Sequence, residues 1–291
     1  MTWKKSVMPK SVYRRQLAAR LRELREDSEL TLAEVSGRVE VSAGSLSRIE
    51  TGDRGTTPVL VKALLDCYGV NDEAVREDIL DLVRADQARK RPWWKKYAAV
   101  VNTTQYGGYL TLESSAVSMR SYEPLLIPGL LQTEDYARAI ITEMRSDLTA
   151  RQVEALVKVR LRRQELLRGE APPKLWVVID EAAIRRHVGS AEVMRQQIEH
   201  LLATCEQPHV TMQFLAFELG GHAGLYGSFV LMDFPNPTPE VVWTENLTNS
   251  VCFEDPKDVE RYADVFDHLR ARALGPSETR RRFRELSKEL E

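Results

Sequence analysis

Apolar residues recur at helical spacing through the first ninety positions of the chain. Leu17, Leu21 and Leu24 fall on one face of a segment running from about Ser11 to Glu26, and Leu32, Val35 and Val39 on one face of the next. Thr31 and Glu34 form a capping box at the start of that second segment. Ser42 opens a third, in which Leu46 and Ile49 face inward and Ala43, Gly44, Ser45 and Arg48 are left outward. Thr51-Gly52 stops it, glycine being free to take the left-handed conformation of a helix end. Asp53 to Pro58 is a loop, and Thr57-Pro58 starts a fourth helix over Val59 to Tyr68, closed by Gly69. A fifth runs from about Asp72 to Lys90 with Val75, Ile79, Leu82 and Val83 on one side.

The pattern changes after Pro92. Arg89-Lys90-Arg91-Pro92-Trp93-Trp94-Lys95-Lys96 marks a border, read as an interdomain joint with both tryptophans packed on the second domain. Leu112 to Ser121 reads as helical and Tyr122-Glu123-Pro124 breaks it. Helices are expected over Glu134 to Met144, capped by Thr133, and over Thr149 to Leu167, with Val153, Leu156, Val157, Leu161 and Leu167 inward and a strongly basic outer face. Lys174 to Asp180 is a short apolar run of strand length, and Met194, Ile198, Leu201 and Leu202 define another helix. Val210 to Phe217, Ser228 to Phe234, Glu240 to Glu245 and Ser250 to Phe253 are strand-like, separated by Gly- and Pro-rich turns. Val259, Tyr262, Ala263, Phe266 and Leu269 share one side of a late helix. The expected architecture is a mainly α, five-helix domain over residues 1–91, with 1–11 as a basic arm. An α+β domain with an antiparallel sheet is expected over 95–291.

Two short helices joined by a tight turn, the second with a small, polar outer face and one arginine, have the form of a helix-turn-helix. The run from Thr31 to Gly52 resembles the helix-turn-helix of Cro/cI-type repressors, the XRE family, whose second helix ends in a pattern like Ser47-Arg48-Ile49-Glu50-Thr51-Gly52. The resemblance implies double-stranded DNA as partner and a structural pair between Arg25 and Glu50. It places Arg25, Thr31, Ser42, Ala43, Gly44, Ser45, Ser47, Arg48 and Arg54 on the DNA side. Arg48 is the expected guanine reader, and Thr31, Arg25 and Arg54 the expected holders of the phosphate backbone. Two positions depart from the pattern. Leu32 stands where relatives often carry a phosphate-contacting glutamine, and Glu40 stands in a turn that is often glycine.

The overall charge of −2 makes no case for nucleic acid, but its distribution is uneven. Residues 1–62 hold 12 basic and 8 acidic side chains, and the first 22 hold seven basic and no acidic ones. The remainder is net acidic, which agrees with a DNA-facing N-terminal end. Cys67, Cys205 and Cys252 are far apart and odd in number, so they read as reduced core thiols. No apolar run reaches the length of a membrane span, and a cytoplasmic protein is expected.

Tyr109-Leu110-Thr111-Leu112-Glu113 and Tyr122 to Thr133, with Pro128-Gly129-Leu130-Leu131-Gln132-Thr133 at its end, carry a second resemblance. These runs, with Tyr136 to Ala139, Leu175 to Ala183 and Gly224 to Phe229, resemble the C-terminal domain of the actinobacterial WhiJ-like regulators. That likeness implies a transcriptional regulator, expected to be a repressor, with a small BldB-type protein encoded nearby as partner. An antitoxin-like, protein-neutralising role with autoregulatory DNA binding is the alternative it leaves open. One motif reads few base pairs, so a homodimer is expected.

An enzymatic role finds little support. Asp180, Glu181, His187, His222 and Glu245 are candidate acid, base or metal groups, but none stands in a ligand spacing, and neither a metal nor a cofactor is expected. Gly220-Gly221-His222-Ala223-Gly224 lacks the Lys-Ser/Thr of a phosphate-binding loop and reads as a hairpin loop at the edge of a ligand pocket. A small-molecule receptor with a pocket lined by Trp176, Phe214, His222, Tyr226 and Trp243 is the remaining alternative.

Overall fold

A computed structural model describes residues 12–87, 93–101, 106–236, 238–247 and 249–290. The basic arm over 1–11 and residues Arg89 to Pro92 of the border lie outside the described residues. The chain divides into two units, one of Met8–Trp93 with Phe234–Pro239, the other containing Trp94–Asp233 and Glu240–Glu291. No helix among the described residues is long and apolar enough to cross a membrane.

Among its described residues the N-terminal unit holds five helices, α1 (Val12–Asp27), α2 (Leu32–Val39), α3 (Ala43–Glu50), α4 (Pro58–Cys67) and α5 (Glu73–Gln87). The hydroxyls of Thr31, Ser42 and Thr57 each accept a backbone N–H of the helix they precede, so the caps set where α2, α3 and α4 begin. Leu17, Leu21, Val35, Leu46, Ile49, Val61, Leu64, Leu65, Ile79 and Val83 close into one core. Each helix contributes the stripe its apolar spacing lays down.

A tight 3₁₀ turn over Trp93–Tyr97 and the short α6 (Ala98–Val101) lead into the C-terminal unit. The Trp94 ring packs on Gly107, where a Cβ would come within 2.8 Å of it. Then come α7 (Tyr106–Glu113), β1 (Ser118–Glu123), α8 (Glu134–Met144), α9 (Ala150–Arg163), β2 (Lys174–Asp180), α10 (Glu181–Arg185), α11 (Ala191–Thr204) and β3 (Val210–Leu215). The order ends with β4 (Phe229–Asp233), β5 (Val241–Glu245), β6 (Ser250–Phe253), α12 (Pro256–Arg272) and α13 (Pro276–Lys288).

Among the described residues six strands form one sheet in the order β3-β2-β1-β4-β5-β6. It is mixed, and this corrects the expectation of an antiparallel sheet. β1 pairs with β2 and β2 with β3 in parallel, while β4, β5 and β6 run antiparallel to their neighbours. The cause is β1, which occupies a stretch expected to be helical. The helix stops at Glu113, four residues short of Val117, and Ser118 to Glu123 then passes through the middle of the sheet. Helices α8 and α9 link β1 to β2, and α10 and α11 link β2 to β3, which are the crossovers that parallel neighbours require. α13, with Thr279, Phe283 and Leu286 buried at i, i+4 and i+7, was not anticipated; it packs on α11 and β3.

Both faces of the sheet are covered. Tyr122, Val178, Leu231 and Val242 meet Val259, Phe266 and Leu269 of α12. On the other face Tyr109 of α7 packs on Trp243 at 5.5 Å between ring centroids, and Phe283 of α13 on Phe214 at 6.1 Å.

Candidate nucleic-acid interface

α2 and α3 are joined by Glu40-Val41-Ser42, and the geometry of this turn fixes what α3 presents. Thr31 N donates to Glu34 Oε2 at 2.8 Å and Glu34 N to Thr31 Oγ1 at 3.3 Å, completing the capping box of α2. The Thr31 hydroxyl also donates to Glu34 at 2.7 Å, so its proton is already used. Glu40 ends α2 in the left-handed region, with φ 54 and ψ 34, a conformation that costs a residue with a Cβ about 1–2 kcal/mol. The side chain is exposed, and replacing Glu40 by glycine is expected to stabilise the N-terminal unit by about 0.5–1 kcal/mol. A raised thermal midpoint of the Glu40→Gly variant would show this; a lowered one would mean that the Glu40 carboxylate has a stabilising role of its own.

α3 buries Leu46 and Ile49 and leaves Gly44 and Arg48 exposed, with Ala43 and Ser47 half-buried. Arg48 Nε donates to Gly44 O at 3.2 Å, which lays the guanidinium stem along the helix surface. Gly52, at φ 73, supplies the left-handed residue after the helix. Ser45 departs from the expectation of an outward residue. It is 8% exposed, and its Oγ accepts from the Ser42 hydroxyl at 3.0 Å and from Arg54 Nη1 at 2.9 Å. Its place at i+3 from the cap turns it under the helix start rather than away from it. Arg54 is thereby held against the first turn of α3, its backbone N–H bonded to Arg48 O at 2.9 Å.

Arg25 and Glu50 form a nearly enclosed pair. Arg25 Nε reaches Glu50 Oε1 at 2.9 Å and Nη2 reaches Oε2 at 3.0 Å, while Nη1 donates to Leu30 O at 2.9 Å. The bonds to Glu50 raise the guanidinium above its ordinary value. Arg25 is thus committed to the end of α3 and to the α1–α2 connection. Its side chain is 13% exposed and Glu50's is 7%.

The candidate groups of the C-terminal unit do not converge on one pocket. Phe214 and Trp243 lie on one face of the sheet and Trp176 on the other, as the alternation of paired residues requires, and Tyr226 is 99% exposed. Four aromatics distributed in this way line no common cavity. The loop Gly220 to Gly224 is not a hairpin either, because β3 and β4 are separated in the sheet by β2 and β1. It crosses the strand ends, and the His222 side chain is tucked under it. His222 Nε2 lies 3.8 Å from Asp180 Oδ2, and Tyr122 donates its hydroxyl to the same oxygen at 3.4 Å. Gly224 sits on the Tyr122 ring, where a Cβ would come within 2.6 Å. Asp180 caps α10 through Ala182 N, and Glu181 accepts from Phe217 N, Arg185 and Arg282, so both carboxylates already hold backbone or ion-pair partners. His187 and Glu245 are exposed and stand apart from this group. Cys67, Cys205 and Cys252 form no disulfide among the described residues, and all three are half-buried.

The run Pro128 to Thr133 proves to be a buried polar joint. Gln132 donates to Ile127 O and accepts from Arg160, both at 2.7 Å, and Gln197 of α11 bonds Leu131 O and Thr133 N, again at 2.7 Å. Gly129 is required because Arg163 Nη1 lies 2.8 Å from where its Cβ would stand. Arg163 belongs to the helix expected to carry a strongly basic outer face, yet it is buried and pairs with Glu113 at 2.7 and 2.6 Å. The signal was present: Leu156, Val159 and Arg163 lie on one helical stripe, and Val159 is fully buried.

Residues 16–79 match the family model described as a helix-turn-helix domain, and residues 106–285 match that of a domain of unknown function, DUF5753. No curated protein and no solved structure matches the chain. A helix-turn-helix domain is the mark of a DNA-binding regulator. With more than half of its length inside the second match, the chain belongs to the DUF5753 family, with a helix-turn-helix domain preceding the family domain.

Proposed function

We propose that the chain is a sequence-specific transcriptional repressor of the WhiJ-like group, a non-enzymatic protein that binds operator DNA as a homodimer. The observation that carries this reading is the outer face of α3. It presents two very small residues, Ala43 and Gly44, then Ser47 and one exposed guanidinium, Arg48, on a helix whose opposite side is sealed by Leu46 and Ile49. Small residues let a helix approach base edges closely, and an arginine suits the two acceptors that guanine shows in the major groove. Arg54, held on Ser45, and the capped start of α2 would meet phosphates and set register without reading sequence. One such helix reads few base pairs, so two copies on a pseudo-palindrome would place half-sites ~34 Å apart. The C-terminal unit would supply contacts between copies and a surface for a small BldB-type partner.

Binding to the DNA upstream of the chain's own gene, measured across a salt series, tests the reading. Wild type is expected to form a specific complex as a dimer, and Arg48→Ala to weaken it by about 1–3 kcal/mol while leaving binding to unrelated DNA unchanged. Salt-sensitive binding that ignores both sequence and Arg48 would mean that only phosphates are sensed. A single copy on an operator-sized duplex would sink the homodimer.

A further inference from the structure

We infer that the cleft at the N-terminal ends of β1, β2 and β3, on the α12 face of the sheet, is a binding site for a small planar organic anion, an aromatic carboxylate or sulfonate. This cleft is distinct from the pocket of four aromatics that the structure does not form, and shares only Trp176 with it. Its volume is about 490 Å³, within the range of sites for small organic ligands. Register places its chemistry: Arg120, Trp176 and Thr211 are paired across the three strands, and Lys174 lies beside Ser118 on the same face. Pro208 and His209 complete the wall.

Trp176 is fixed as an apolar platform. Its Nε1 donates to Gln213 Oε1 at 2.8 Å, Gln213 is tied to Arg270 O at 3.0 Å, and the Arg270 guanidinium lies 4.7 Å from the indole centroid. Arg270 also pairs with Asp267 and Arg120 with Glu240, so these two cations are balanced. Lys174 is exposed and, among the described residues, has no ion-pair partner. The cleft therefore carries one uncompensated positive charge beside an aromatic wall. His209 adds an unused polar atom, since its Nε2 is enclosed without a hydrogen-bond partner. A ligand acceptor brought against the ring would give Nε2 the partner it lacks among the described residues. A flat apolar body with one anionic group matches each of these features, and the concavity favours a small molecule over an extended polyanion. The inference does not depend on how the N-terminal unit binds DNA, because every residue it uses belongs to the C-terminal unit.

The probe is 8-anilinonaphthalene-1-sulfonate, titrated by fluorescence into the full chain, with neutral N-phenyl-1-naphthylamine beside it. One saturable site for the sulfonate is expected. Lys174→Glu, a change at an exposed side chain, is expected to weaken it at least tenfold and leave the neutral compound unaffected. Lys174→Gln is expected to fall between the two. Absence of saturable binding, or sulfonate binding that survives Lys174→Glu, would overturn the proposal.

Discussion

Replacing Glu113 by alanine is expected to destabilise the C-terminal unit by about 3–5 kcal/mol, because it leaves a buried guanidinium without its counter-charge. The Arg163 and Glu113 side chains are 5% and 3% exposed, so water cannot take the place of the lost carboxylate. Burial works against the charge of Arg163, yet Glu113, Tyr106 and Tyr109 hold the guanidinium above its ordinary value. After the substitution the Tyr106 hydroxyl, at 2.7 Å from Nη1, and the faces of the two tyrosine rings would remain as close contacts, with the Glu123 carboxylate nearby but not hydrogen-bonded to it among the described residues. Urea unfolding followed through tryptophan fluorescence would read the loss, Trp176 and Trp243 both lying in this unit. The double variant Glu113→Leu/Arg163→Met separates charge from packing. It is expected to recover most of the stability, since an apolar pair of similar volume carries no desolvation penalty. A single variant as stable as the wild type would mean that Arg163 escapes to solvent, and that Gly129 is not there to make room for it.

That pair also explains what the two C-terminal sequence runs have in common. Glu113 ends the first and Gly129 lies in the second, 16 residues on, and Arg163 touches both. Sequence shows such runs as separate signatures; their meeting point is a side chain that composition assigns to a solvated face. The same blindness hid β1. Ser118-Met119-Arg120-Ser121-Tyr122-Glu123 offers two apolar residues in six, so it lacks the apolar run of a strand covered on both faces. The polar positions are accommodated by small size at Ser121, 4% exposed, and by the Arg120–Glu240 pair. With β1 missing, the alternation of strand and helix that marks parallel pairing could not be seen. The five N-terminal helices were legible because each is amphipathic and each cap hydroxyl stands directly before an apolar stripe. Within the candidate interface, Arg48 and Gly44 follow from helical phase alone. Ser45 does not, because it turns under the helix start, where its hydroxyl accepts from the Ser42 cap and from Arg54, nine residues away across a loop.

Loss of Glu50 is the second large effect expected, and it acts on the N-terminal unit. Glu50→Ala would leave Arg25 mostly enclosed with Leu30 O as its remaining close acceptor apart from the exposed Glu26, at a cost of about 3 kcal/mol. The partial exposure of Arg25 sets this nearer the lower end of the range for broken buried pairs. Arg25 bonds at once to the last residue of α3 and to the chain just before α2, so it fixes the two helices against α1. Arg25→Lys keeps the charge but cannot reproduce two parallel bonds to one carboxylate together with a third to Leu30 O. Its expected loss is smaller than that of Glu50→Ala. Thermal unfolding of the three proteins gives the stability order, and operator binding below the lowest midpoint gives the second readout. On the proposed reading, Arg25→Lys weakens specific binding at positions read by Arg48, because the two residues control one helix. Weakening that is uniform across DNA sequences would instead make Arg25 a phosphate contact in its own right, and would separate the structural pair from the reading of bases.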